Sequence, residues 1–247
     1  MTDLLVFQLR RVTRSWQYLL FTVLLPALFT VFFTKVFGAQ AADPAEYQEY
    51  ARDYMVSMMC YGALGAALGA TIRLSFDRAS GWLRQLRVLP LPARTVVAVD
   101  VAVGMVLVLP SLLVVALVGR FVNDVELGLG SWAVLLGALW LGSGAFVALG
   151  MLLGLALEEK AAGAAIGILS VVLAALGGLW IPVWLFPDGL QLVARAMPSY
   201  WYGELGRAVV TGGSPAGAAL VLAGFALLFT AAALAVGSRR PLHAVAG

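Results

Sequence analysis

Residues 95–118 read TVVAVDVAVGMVLVLPSLLVVALV, twenty-four positions holding one charged residue, Asp100, and one proline, Pro110. A helix needs about 20 mainly apolar residues to cross the hydrocarbon layer of a bilayer, so this run is long enough to span one. Strands of a membrane barrel alternate apolar and polar residues in segments of ~10, and no such alternation exists here. Working outward in both directions, runs of similar character occupy 18–36, 54–72, 132–157, 161–181 and 216–236. The expected fold class is therefore an all-α polytopic membrane protein with six transmembrane helices in a single domain, residues 1–247. Composition agrees: 62% of the 247 residues are hydrophobic and 12% charged, against roughly 25% charged in a soluble domain.

Positive charge orients the spans, because Lys and Arg accumulate in short cytoplasmic connections. With the N-terminus inside, the cytoplasmic side holds Arg10, Arg11, Arg14, Arg73, Arg78, Arg84, Arg87, Arg94, Lys160, Arg239 and Arg240, eleven of sixteen basic residues. The other side holds Lys35, Arg52, Arg120, Arg195 and Arg207 together with Asp43, Glu46, Glu49, Asp53, Asp124, Glu126, Asp188 and Glu204. Both termini are expected in the cytoplasm. The net charge of +3 then reflects topology, and no nucleic-acid partner is expected. Arg10 to Arg14, the apolar stretch and Ala39-Gln40-Ala41 imitate a signal peptide, but a stretch of 19 residues exceeds the usual ~7–15, so cleavage is not expected.

Two cytoplasmic segments have helical periodicity. In residues 1–16, Leu5, Leu9, Val12 and Trp16 share one face and Asp3, Arg10, Arg11 and Arg14 the opposite one, which describes an interfacial helix on an anionic leaflet. In 76–90, Phe76, Ala79, Leu83 and Leu86 repeat at helical spacing, Asp77, Arg84 and Arg87 occupy another face, and Pro90-Leu91-Pro92 ends the helix. Apolar residues on a cytoplasmic helix must bury against something, either a soluble partner or the chain's own helix ends. Arg84 and Arg87 fit both charge pairs with that partner and simple positive-inside anchoring.

On the other side, 182–215 is rich in Trp184, Phe186, Tyr200, Trp201 and Tyr202, too apolar for a water-exposed loop. Two short helices are expected, at 188–196 and 199–210. They either dip into the outer interface or form an aromatic belt that anchors the loop. Glu204 and Arg207, three apart, read as a local ion pair. Gly65 and Gly69, Gly150 and Gly154, and Gly163 and Gly167 have the spacing of close helix contacts. Pro26 and Pro110 mark kinks in spans 1 and 3.

Signatures of catalysis are missing from the sequence. His243 is the only histidine, which excludes a His-based triad or an HExxH zinc site within the spans. Cys60 is the only cysteine and reads as a packing residue; Ser143, between Gly142 and Gly144, lacks the context of a nucleophile elbow. Neither lysine, Lys35 or Lys160, belongs to a phosphate-binding loop, so the chain does not hydrolyse ATP alone. The span centres carry no charge of the kind ion-coupled carriers retain. A transporter built this way draws its energy from a partner.

The segment Phe76-Asp77-Arg78-Ala79-Ser80-Gly81-Trp82-Leu83-Arg84-Gln85-Leu86-Arg87-Val88-Leu89-Pro90-Leu91-Pro92 resembles the coupling region of type-2 ATP-binding-cassette (ABC) exporter permeases, which include bacterial drug and lipid exporters. Glu158-Glu159-Lys160, Gly177-Gly178-Leu179-Trp180-Ile181-Pro182, Pro187 and Met197-Pro198-Ser199-Tyr200 are similar to that family's span 5, outer loop and Asn-Pro-type turn. Met-Pro replaces Asn-Pro here, leaving Ser199 as the polar group at the turn. The resemblance covers nearly the whole chain. It implies an inner-membrane permease working by alternating access with a pair of separate ABC ATPase subunits, which bind ATP and Mg; no cofactor is implied in this chain. It implies a second permease, identical or related, and a hydrophobic or amphiphilic drug, lipid or natural product as cargo. Phe76, Asp77, Arg78, Leu83, Arg84, Leu86 and Arg87 would couple to the ATPase, and Pro182, Trp184, Pro187, Pro198 and Tyr200 would shape the outer re-entrant loop. The alternative is a non-transporting scaffold or sensor-complex subunit that anchors an ATPase with the same cytoplasmic helix.

Overall fold

The computed structural model describes residues 20–71 and 93–239. The interfacial helix expected over 1–16 and the coupling helix expected over 76–90 lie outside the described residues. A π turn, Leu20–Leu24, leads into α1 (Leu25–Phe37), followed by α2 (Pro44–Thr71), α3 (Ala93–Phe121), α4 (Leu129–Gly142), α5 (Gly144–Ala156), α6 (Glu159–Leu176), α7 (Asp188–Arg195), α8 (Pro198–Val210) and α9 (Ala216–Arg239). The described residues are helical and contain no strand. Four segments, Thr22–Gln40, Ala98–Phe121, Leu129–Ala156 and Ala216–Ser238, are long and apolar enough to cross a membrane.

The centre of the bundle is α2, which touches α1, α3, α5, α6 and α8. Met55, Val56, Met58, Met59, Cys60, Ala63, Leu64, Ala66, Ala67 and Leu68 are all fully buried on it. Small residues let neighbouring backbones approach: a Cβ on Gly62 would press on Ser111 Oγ and lie 3.1 Å from the Thr22 carbonyl oxygen. The peripheral helices have the opposite character, with Leu28 and Phe32 of α1, Ile168 of α6 and Leu220, Leu227 and Leu234 of α9 exposed. Gly167 on α6 has no neighbour within 4 Å, so of the three small-residue pairs this one does not pack internally at its second position.

Interruptions of helical hydrogen bonding are closed by side chains. Pro26 has no N–H to give to the Thr22 carbonyl, and Ser111 Oγ of α3 donates to that oxygen instead, at 2.8 Å. The expected span 132–157 is two helices meeting at Ser143, whose Oγ donates to the Trp140 carbonyl at 2.6 Å. Tyr202 Oη donates to the Leu139 carbonyl at 2.7 Å, and the Tyr202 ring packs where a side chain on Gly142 would stand. Ser143 is fully buried, as its small-residue reading requires.

Two boundaries differ from the sequence reading. α2 starts ten residues before the expected span 54–72, because Asp43-Pro44-Ala45-Glu46 is a helix start: Asp43 Oδ1 accepts from Glu46 N at 2.9 Å, Glu46 Oε2 accepts from Ala42 N at 2.6 Å, and Pro44 fills the first helical position. The acidic stretch is thus helix. α6 stops at Leu176, five residues short of the expected end. Gly178 takes φ +75° and Leu179 N donates to the Ala174 carbonyl at 3.0 Å, the left-handed helix ending that glycine permits. The two expected short helices are present as α7 and α8.

The turn after α6 is held by Ser199 Oγ, which donates to the Leu173 carbonyl at 2.6 Å beside Gly177. Ser199 therefore supplies the polar group where Met197-Pro198 replaces Asn-Pro. A Cβ on Gly177 would overlap Ser199 Oγ. Gly177→Val is expected to destabilise the detergent-solubilised chain by about 1–3 kcal/mol through overpacking, and Ser199→Ala by about 0.5–1.5 kcal/mol. Thermal unfolding followed by tryptophan fluorescence checks both, and unchanged midpoints would contradict this packing.

Candidate functional site

At the end of the bundle where α1 gives way to α2 and α6 to α7, a half-open cavity of about 760 Å³ is lined by five segments of the chain. α2 contributes Glu46, Glu49, Tyr50, Asp53, Tyr54 and Ser57, whose spacings of three, one, three, one and three place them on one helical face. α8 contributes Tyr200, Glu204 and Arg207, and α7 contributes Gln191 and Arg195. The 178–184 turn brings Trp180, Pro182, Val183 and Trp184, and the end of α1 brings Phe37 and Gly38. The volume falls within the ~300–1,000 Å³ range of small-molecule sites.

An ion pair organises one wall. Arg207 Nε donates to Glu204 Oε1 at 2.9 Å and Arg207 Nη1 donates to Ser57 Oγ at 3.3 Å, tying α8 to α2. Gly203 makes room for this guanidinium, since a Cβ there would lie 2.6 Å from an Arg207 terminal nitrogen. The local pair expected from the i, i+3 spacing is therefore present, and it also faces the cavity. Asp53, just before the expected span 54–72, has its carboxyl pushed up by burial; Arg207 opposes the shift while Glu49 and Glu204 add to it. Burial likewise raises the Tyr50 hydroxyl.

Aromatic rings form the remaining surface. Tyr50 and Tyr54 stack at 5.7 Å between centroids, Tyr54 Oη donates to the Trp180 carbonyl at 3.4 Å, and Trp184 stands 75% exposed at the rim. The buried Trp180 Nε1 has no acceptor among the described residues. Lys35, outside the cavity, lies 5.9 Å from the Tyr47 ring centroid. Among the described residues no three His, Cys, Asp or Glu side chains are placed to hold a metal ion. The arrangement of rings, carboxylates and arginines suits binding.

Of the outer-loop residues read from sequence, Pro182, Trp184 and Tyr200 line the cavity. Pro187 and Pro198 do not; they stand at the starts of α7 and α8, where a missing N–H is tolerated. Phe76, Asp77, Arg78, Leu83, Arg84, Leu86 and Arg87 lie outside the described residues. Sequence reasoning missed Glu49, Tyr50, Asp53 and Ser57. Their helical spacing was available as a signal once the Asp43-Pro44-Ala45-Glu46 helix start is recognised.

The family model for "ABC-2 type transporter" matches residues 4–211, most of the chain and every described cavity residue. The chain belongs to the ABC-2 type transporter family. A curated relative, the Bacillus subtilis (strain 168) protein named "Putative transport permease YvfS", is 30% identical over 228 residues, which cover 91% of each chain. As a family member the chain is a multi-pass transport permease subunit, and membership implies an ABC ATPase partner.

The raised Asp53 carboxyl has a sign that can be tested. A carboxyl raised in the folded state favours its protonated form, so its contribution to stability is present at acid pH and lost as pH rises through the folded value. Asp53→Asn, neutral at every pH, is expected to raise the unfolding midpoint at neutral pH relative to the unaltered chain. The gap should close toward pH 4. A midpoint lowered at pH 7.5 would show instead that the attraction to Arg207 outweighs burial.

Proposed function

We propose that this ABC-2 permease crosses the bacterial inner membrane six times with both termini in the cytoplasm, and that it forms half of the path of an ATP-driven exporter for hydrophobic or amphiphilic compounds. The observation that carries the reading is the family match over residues 4–211 in a chain whose sequence has no phosphate-binding loop. Movement of cargo then needs energy from separate ABC ATPase subunits, which would hold the ATP and Mg.

Residues 76–90 are the proposed docking helix for the ATPase, with Leu83 and Leu86 in the apolar contact and Asp77, Arg84 and Arg87 beside it. A second permease copy, or a related chain, is the proposed partner in the membrane. The exposed apolar faces of α1 and α6, with Leu28, Phe32, Ile168 and Val171, support a role against lipid or that second chain. α2 and α6, counted with the four long apolar segments, complete the six proposed crossings. α7 and α8 are the proposed re-entrant pair, the amphipathic sequence of α7 and the Tyr200, Trp201 and Tyr202 rings of α8 fitting the outer interface.

Leu83→Glu combined with Leu86→Glu places two charges in the proposed contact. The double variant is expected to insert normally while recovering less than about a tenth of the ATPase in a detergent pull-down, since a buried unpaired charge typically costs several kcal/mol. Mass spectrometry of the captured subunits reads the outcome. Full recovery of the ATPase by the double variant would remove the docking assignment.

A further inference from the structure

The carboxylates lining the cavity are not equally committed. Glu46 accepts from Ala42 N and Glu204 from Arg207, whereas Glu49 and Asp53 receive no hydrogen bond or ion pair among the described residues. They stand one helical turn apart on the same face of α2, at i and i+4, where like charges repel. A cation placed between them would relieve that repulsion. Of the two arginines in the lining, Arg207 is engaged by Glu204 and Ser57, and Arg195 sits exposed on α7.

Aromatic faces adjoin these two carboxylates. Tyr50 and Tyr54 alternate with them along α2, and Trp184 and Tyr200 close the cavity from the 178–184 turn and from α8. Electron-rich ring faces attract organic cations and also bury apolar surface, a combination that neither a bare ion nor an anionic headgroup exploits. The absence of a third ligating side chain among the described residues argues against a metal ion. The cavity has room for a ligand of drug size.

We infer that this cavity binds organic cations with an apolar body, the charge held between Glu49 and Asp53 and the body against Tyr50 and Trp184. The inference rests on the permease reading only for its link to transport, where it narrows the cargo or a modulator to cationic amphiphiles; binding itself stands independently. The site is formed within one chain.

The test uses the purified full-length chain in dodecyl maltoside, with protein-free micelles as blank. Equilibrium dialysis compares tetraphenylphosphonium with tetraphenylborate, ions of the same shape and opposite charge. The cation is expected to bind at least about tenfold more tightly than the anion, a difference of the size one desolvated cation–carboxylate and cation–ring set provides. Glu49→Gln and Asp53→Asn should each weaken the cation about threefold or more, and Trp184→Ala should do the same, while Leu220→Ala on the exposed face of α9 changes nothing. If Asp53→Asn fails to fold, the exposed Glu49 and Trp184 positions carry the test. Equal affinity for the two probes, or unaltered cation affinity in folded Glu49→Gln and Trp184→Ala, would overturn the site. Failure of the unaltered chain to capture an ATPase, with cation preference intact, would overturn the transport reading alone; capture of an ATPase by a chain with no cation preference would overturn the cavity alone.

Discussion

Backbone groups in hydrocarbon find no water to bond, so every N–H and C=O of a spanning segment must be satisfied by the protein itself. This constraint shapes the bundle around α2. A helix enclosed by other helices no longer needs a strongly apolar surface, and α2 uses alanine and glycine so that its neighbours come close, while Met55, Met58 and Met59 fill the space that remains. The close approach in turn lets polar side chains reach carbonyls that irregular backbone would leave unpaired. Ser111 reaching Thr22 across from Gly62, and Tyr202 reaching Leu139 beside Gly142, are two cases of the same arrangement. In each, a missing side chain on one helix is what admits the hydroxyl on another.

Irregular backbone adjoins the cavity. α6 ends early at a glycine in the left-handed region, α7 and α8 are short, and α2 projects beyond the apolar zone with its acidic turns. These features together leave a concave surface that regular spans would have filled. The Arg207 guanidinium joins α8 to α2 across it through Glu204 and Ser57. At 28 residues α2 is about 42 Å long and runs from the cavity residues Glu46 to Ser57 on to Thr71.

A multi-pass helical membrane chain and the positions of its four long apolar segments, to within a few residues, were determined by the sequence alone, because hydrophobic length is a local property. The two short helices expected at 188–196 and 199–210, present at 188–195 and 198–210, were legible because their connection is too apolar and aromatic for a water-exposed loop. The early start of α2 was present in Asp43-Pro44-Ala45-Glu46 but was masked by the density of charge, which resembles a loop until the reciprocal capping bonds are seen. Nothing local distinguishes Glu49 and Asp53 from the other acidic residues of the connecting segments. Only the tertiary structure decided that these two face a cavity with no hydrogen bond or ion pair among the described residues while Glu204 finds Arg207. A carboxylate's surroundings are set by helices distant in sequence, here α2, α6 and α8, and burial, pairing and ring contact exist only once those helices pack.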